Sequence, residues 1–328
     1  MRIGILSAHR RNNEPEADNL RVGMEVKELG HDPVFINYRR CMVGLTEAAQ
    51  GLHMYDVEGT STWPVEVDAV IPRIGRKASH GILALQALEF AGVPSTAPSA
   101  GLRIAKSKIE TKLHLAEAGI PMPGSIVPIG LHPSDTDIFI DMMNGDTDKP
   151  VIIKSNYGSL GKGVTIAESS RSARSFIDSM PDNPFIIEEF IEPVDDTEAK
   201  DMRSIIVDNR RVVSMLRTVR TTKKKKEFRA NLSLNGKGEP YEPSSEEIDV
   251  IMGAAQAMGL PTVGIDTMRT KDGRTVVTEG NGNFGLRIEE VTSVSVARPL
   301  VEYAIRLAYA DADPVVAEQP VLHLVAGE

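Results

Sequence analysis

The stretch KSNYGSLGKGV, Lys154 to Val164, carries three glycines and two lysines at spacings that fit neither common phosphate loop. A P-loop needs its second glycine followed by Lys and then Ser or Thr, but Lys162 is followed by Gly163. A dinucleotide fingerprint needs G-x-G-x-x-G, whereas the order here is Gly158, Gly161, Gly163. The plain alternative is a glycine-rich hairpin turn with a solvated lysine. The flanks decide its place in the fold. Val151–Lys154 and Gly163–Ala167 both read as strands, so the loop joins strand to strand and is expected at a hairpin tip, as a flap.

Working outward, the first ~95 residues alternate short apolar runs with helical patterns, which predicts a parallel sheet covered by helices. Ile3–Leu6, Pro33–Ile36 and Asp68–Pro72 are the expected strands. Glu14–Leu29 and Ser79–Ala91 are the expected helices, stopped by Gly30 and Gly92. No glycine fingerprint follows Ile3–Leu6, which argues against a nucleotide in this first unit. A helix is predicted over Ala105–Ala118, then the two flap strands, a helix from Ser169 and a strand over Phe185–Glu189. Ser204–Thr218 reads as a hairpin turning at Asp208–Asn209. Ser244 and Glu247 form a capping box ahead of a helix, and a closing helix spans Arg298–Ala308. The expected divisions are 1–97, an α/β domain; 98–188, with the flap; 189–312; and a tail, 313–328.

The 328 residues are 41% hydrophobic and 25% charged, the balance of a globular chain of two or three domains. A net charge of −9 disfavours general binding to nucleic acid or anionic membranes. The single Cys41 excludes an internal disulfide and a multi-cysteine metal site. The N-terminus MRIGILSAHRR is charged too early for a secretory signal, and no apolar run reaches membrane-span length; the expectation is a cytoplasmic protein.

The most informative stretch chemically is VGIDTMRTKDGRTVVTEGNGN, Val263 to Asn283. Two β-branched runs flank Asp272–Gly273, a pair suited to a two-residue type I′ loop. That loop places Asp266 opposite Glu279, with Asn281 further along the same face. Like charges directly opposite destabilise a sheet, and a cation between them would resolve the conflict. Two carboxylates and an amide oxygen are hard ligands suited to Mg²⁺ or Mn²⁺. The competing reading is a solvated face on which the acids repel weakly.

Together these motifs resemble the ATP-grasp superfamily, specifically RimK-like carboxylate–amine ligases such as the ribosomal-protein glutamate ligase. The elements AKSK, VIIKSNYGSLGKGV, FIIEEFI, DMR, EFRANL, GID and TEGN occur in family order along nearly the whole chain. The resemblance implies a mixed α/β ATP-grasp fold: an N-terminal Rossmann-like pre-ATP-grasp domain and two subdomains that grip ATP. It implies that Lys108 and Lys154 contact phosphates, that Gly158, Gly161 and Gly163 form the flap, and that the Glu189 and Phe190 backbone reads adenine. Asp201 would lie on the nucleotide side, although the longer run IEPVDDTEAKD before Met202 departs from the family pattern. Arg229 and Asn231 would stand near the γ-phosphate, Arg203 would stabilise developing charge, and Asp266, Glu279 and Asn281 would hold two Mg²⁺ or Mn²⁺ ions. Lys162 either assists the phosphates or is merely solvated.

The implied reaction is ATP-dependent, ADP-forming amide synthesis through an acyl phosphate, adding an amino acid such as glutamate to an acidic peptide, protein tail or carrier protein. The implied assembly is a homo-oligomer, dimer or tetramer. A kinase on the same fold and a non-catalytic ATP-binding regulator are the alternatives. RTVRTTKKKKEFR, Arg217 to Arg229, holds seven basic residues against one acid and reads either as a solvated loop or as a docking site for an acidic acceptor, centred on Lys223, Lys224, Lys225 and Lys226. Arg73 and Arg76, ending an N-terminal strand, are candidates to hold acceptor carboxylates.

Overall fold

The computed structural model describes every residue except 10–13, 46–51, 59–60, 76–77, 130–137, 139–149, 159–162, 180–183, 193, 195–197, 221–236 and 313–328. Gly161, Lys162, Lys223–Lys226, Arg229, Asn231 and Arg76 therefore lie outside the described residues. The chain divides into two units, residues 1–96 with 297–328, and residues 97–296.

In the first unit, β1 (Arg2–Ser7), α1 (Ala17–Glu28) and β2 (Asp32–Asn37) are followed by three strands that sequence periodicity did not reveal: β3 (Cys41–Leu45), β4 (Leu52–Glu58) and β5 (Ser61–Pro64). β6 (Ala69–Arg73) and α2 (Ala78–Phe90) complete the run. The parallel sheet has order β2-β1-β6 and the antiparallel one β3-β4-β5. Ile3, Ile5, Leu6 and Ile71 are fully buried, so the expected strands form this unit's core. Gly30 and Gly92 end their helices at φ +81° and +86°, left-handed values that glycine adopts without a Cβ penalty. The closing helix, Ala297–Ala312, was expected in the third division, but it packs on α1 and β6 and belongs to the first unit.

The second unit opens on two helices where one was expected. The single helix expected over Ala105–Ala118 is two, α3 (Ser99–Lys106) and α4 (Lys108–Glu117), broken at Ser107. Ser107 has extended backbone (φ −100°, ψ 114°) and caps α4 by accepting from the Glu110 amide. Asn156, just past the first flap strand, holds the break by accepting from Ser107 Oγ at 3.1 Å and the Ile109 amide at 3.0 Å. The break puts Lys108 at the first turn of α4, beside the glycine-rich loop.

β7 (Ser125–Ile126), β8 (Val151–Ser155), β9 (Val164–Ala167), the helix Ser170–Asp178 and β10 (Phe185–Glu189) follow. The sheet order is β7-β10-β8-β9, and β8 and β9 pair antiparallel, so the glycine-rich stretch does join two neighbouring strands. One face of β8, Val151 and Ile153, packs with Ala173 and Ile177 of the following helix. Alternation turns Ile152 and Lys154 to the opposite face.

The remaining sheet has order β13-β12-β11-β14-β15, built from β11 (Glu198–Val207), β12 (Arg210–Arg220), β13 (Lys237–Pro240), β14 (Val263–Arg269) and β15 (Thr275–Asn281). Asp208 and Asn209 both have positive φ, 53° and 56°, the geometry of the expected two-residue turn. The capping box on the helix Ser245–Ala257 is present, with Ser244 and Glu247 each bonding the other's backbone amide. Among the described residues no helix is long and apolar enough to cross a membrane.

Candidate active site

The β14–β15 hairpin delivers the expected pairing by an unexpected route. Asp266 is opposite Glu279 and Gly264 opposite Asn281, but Thr267 is opposite Val277. The turn is not the two-residue type I′ loop. The Thr270 amide donates to Arg274 O and the Gly273 amide to Thr270 O, both at 2.9 Å, and only Gly273 is left-handed, at φ +88°. This is a three-residue loop, which shifts the register by one. A bulge at Thr278 shifts it back, so two irregularities cancel before Asp266 is reached.

Both polar groups of Val277, beside that bulge, are satisfied from elsewhere in the unit. Its amide donates to Pro121 O at 2.8 Å and its carbonyl accepts from Lys112 Nζ at 3.3 Å.

The opposed carboxylates do not depend on a cation to coexist, which corrects the sequence argument. Asp266 is buried and accepts from Arg203 Nε and Nη2 at 2.7 and 2.6 Å, while Arg217 Nη2 lies 3.0 Å from Oδ2. Asn281 Nδ2 adds a contact to Oδ2 at 3.3 Å. Burial works to raise the Asp266 carboxyl, but Arg203 and Arg217 outweigh it and hold it at about 2.

Arg217 also binds Asp201 through two bonds, of 2.5 and 2.6 Å. Burial, joined by repulsion from Asp266, nevertheless pushes Asp201 up to about 6 against the pull of Arg217. Asp266 thus remains the firmly ionised member of the pair.

Glu279 stands apart from this network. Its side chain is 41% exposed and lies 4.0 Å from the Lys108 ammonium. Lys108 Nζ also donates to Gly158 O at 3.3 Å, joining the base of the glycine-rich loop to the acid pair. Glu279 has oxygens open to a ligand, and Oδ1 of Asp266 has a single arginine contact. With the Asn281 amide, these hard donors suit a divalent ion whose remaining positions are filled by water and phosphate.

Lys154 Nζ lies 2.6 Å from Glu188 Oε2, and Lys112 Nζ lies 3.5 Å from Oε1. Burial works against the Glu188 charge, but the two lysines hold the carboxyl below its ordinary value. Glu189 gives its amide to Gly124 O at 2.8 Å, so that N–H is not open to a base. Arg73, proposed from sequence as an acceptor-binding group, is buried in the first unit. Its Nε donates to Asn19 Oδ1 at 3.3 Å and Asp18 lies 3.7 Å away, so it ties α1 to β6.

Three residues escaped the sequence reading: Lys112, Glu188 and Arg217. For Arg217 a signal existed. It continues the alternation Val213, Met215, Arg217, Val219, all buried on one face of β12, yet sequence grouped it with the basic run. It is not part of any exposed docking segment.

Residues 105–304 match the RimK-like ATP-grasp domain and residues 1–102 the RimK pre-ATP-grasp domain. The chain belongs to the RimK-like ATP-grasp family. It is, accordingly, an ATP-dependent, ADP-forming carboxylate–amine ligase. A probable alpha-L-glutamate ligase of Legionella pneumophila is 31% identical over 307 residues, covering 92% of this chain and 95% of that protein. A second, from Hahella chejuensis, is 30% identical, covering 93% and 96%.

Among solved structures, the ATP-grasp ligase PsnB, complexed with a phosphomimetic variant of its minimal precursor, Mg and ADP, superposes with a TM-score of 0.69 at 18% identity, covering 93% of this chain and 98% of that one. A RimK domain protein from Sphaerobacter thermophilus gives 0.64 at 16%, covering 93% and 100%. These structural likenesses show the RimK-like ATP-grasp fold.

Proposed function

We propose that this RimK-like ligase adds L-glutamate to the carboxylate of an acidic peptide, protein tail or carrier protein. The observation that carries the chemistry is the position of Lys108. One ammonium group touches both the glycine-rich loop at Gly158 and the acid-bearing strand at Glu279, which supports a single site for the triphosphate. The glutamate reading is supported by the two relatives named as probable alpha-L-glutamate ligases, each matched over more than nine-tenths of this chain.

The reaction needs no side-chain nucleophile. An acceptor carboxylate oxygen attacks the γ-phosphorus of ATP, the bond to the β-phosphate oxygen breaks, and ADP leaves. The glutamate amine then attacks the acyl carbon, loses a proton, and expels phosphate to leave an amide. Lys108 and Lys154 orient the phosphates, and Arg203 stands at the acid pair where transferring charge accumulates. Asp266, Glu279 and Asn281 would hold Mg²⁺ or Mn²⁺, two ions in this reading, supplying positive charge to the phosphate oxygens.

The direct test is phosphate release across the twenty amino acids with acidic peptides as acceptors, read alongside product mass. A mass gain of one glutamyl residue with matching ADP and phosphate is expected. Amine-independent ADP formation with a phosphorylated product would overturn the reading.

A docking role for the basic run can be tested by itself. Replacing Lys223–Lys226 by alanine should raise the acceptor KM at low salt and leave the ATP KM unchanged. The difference should fade as the Debye length shrinks toward ~3 Å at 1 M salt. Equal acceptor KM values at low salt would remove the docking role.

A further inference from the structure

Lys112 is a buried lysine for which the chemistry above has no use. It projects from α4 and reaches two strands: Glu188 on β10, 3.5 Å away, and the Val277 carbonyl on β15 at 3.3 Å. Burial lowers its pKa to about 8 against the opposing attraction of Glu188. Glu188 is 2% exposed and grips Lys154 at 2.6 Å through Oε2. Its Oε1 is buried and makes no hydrogen bond. Glu188 and Lys154 share a face of the sheet, since Lys154 pairs with Ile186 and Glu188 lies diagonally across from it. Two ammonium groups therefore divide one buried carboxylate, and one of them is the lysine offered to the triphosphate.

The two contacts are unequal, and the inequality has a use. A buried carboxylate with a single counter-ion holds that ion fast, because withdrawing it strands a charge away from water. Lys154 could turn to a phosphate oxygen only at that cost. Lys112 waits on the other oxygen, at the end of a flexible four-carbon stem, close enough to take over the pairing.

We propose that Lys112 is a positioning residue for nucleotide binding: acting through Glu188, it frees the Lys154 ammonium for the ATP phosphates and keeps the carboxylate paired when Lys154 turns. This rests on the reading of Lys154 as a phosphate-binding group. The local charge agrees with it. Lys112, Glu188 and Lys154 sum to one positive charge, the sum falls to zero without Lys112, and it returns to one positive charge if Glu188 is neutralised as well. A purely structural Lys112, tying α4 to the Val277 carbonyl, would show no dependence on Glu188.

The test is a double-mutant cycle read by calorimetric titration with Mg-ATP and by steady-state kinetics. Lys112→Met is expected to weaken ATP binding by about ten-fold or more and to raise the ATP KM in step, with kcat within about three-fold of wild type. Adding Glu188→Gln should return ATP affinity to within about three-fold of wild type, because no charge is then stranded. If Lys112→Met does not fold, Lys112→Gln removes the same charge while keeping a donor for Val277, and the same comparison applies. Unchanged ATP affinity in the single variant, or no recovery in the double variant, would overturn the proposal. A wild-type protein that does not bind Mg-ATP would instead overturn the nucleotide reading beneath it.

Discussion

Glu279→Ala should leave the protein folded and abolish its turnover. The structure makes these two outcomes separable. Glu279 is the half-exposed member of the acid pair and takes no part in the Asp266–Arg203–Arg217–Asp201 network, so its removal breaks no buried interaction. Relief of its repulsion with Asp266 offsets loss of the 4.0 Å contact to Lys108, and stability should stay within about 1 kcal/mol of wild type. Activity should fall by about 10³-fold or more, the scale on which losing a group that stabilises transferring charge is felt. Urea denaturation and ADP release at saturating Mg²⁺ check the two halves. Near-normal ADP release would remove Glu279 from the site, and an unfolded variant would make it a structural carboxylate.

How much of this was legible in the sequence depended on whether the signal was local. The βαβ opening, the glycine stops at Gly30 and Gly92, the Asp208–Asn209 turn and the Ser244–Glu247 box are written in residues a few positions apart, and each forms as expected. The split at Ser107 was not legible, because what holds it is Asn156, 49 residues away. Lys112 and Glu188 were missed for the same reason: an isolated lysine on a helix gives no sign that it will meet a carboxylate across a sheet. The pairing of Asp266 with Glu279 was found through a loop that does not exist, and the Thr278 bulge restored the register. The inference from that pairing then failed in one respect. Sequence saw two acids without charge compensation because the compensating arginines lie on β11 and β12.

Arg217→Met should be among the most destabilising single changes in the second unit. Arg217 is 2% exposed and serves two carboxylates, bonding Asp201 through both oxygens and lying 3.0 Å from Asp266. Methionine fills comparable apolar volume, so the loss is one of charge and not of packing. Asp266 keeps Arg203, whereas Asp201 loses both of its short bonds and is left in a site that already disfavours its charge. Removing one partner from a buried pair typically costs about 3–5 kcal/mol, most of it the stranded partner. Urea denaturation should show a loss of that size. The mechanism also specifies its own rescue. Asp201→Asn in the Arg217→Met background removes the stranded carboxylate, and the double variant should recover most of the lost stability even though it lacks the whole pair. The arginine's own charge would then be shown to matter mainly as the counterpart of Asp201. A double variant no more stable than Arg217→Met would place the cost on Asp266 instead, and a single variant within about 1 kcal/mol of wild type would mean that the network contributes nothing to the fold.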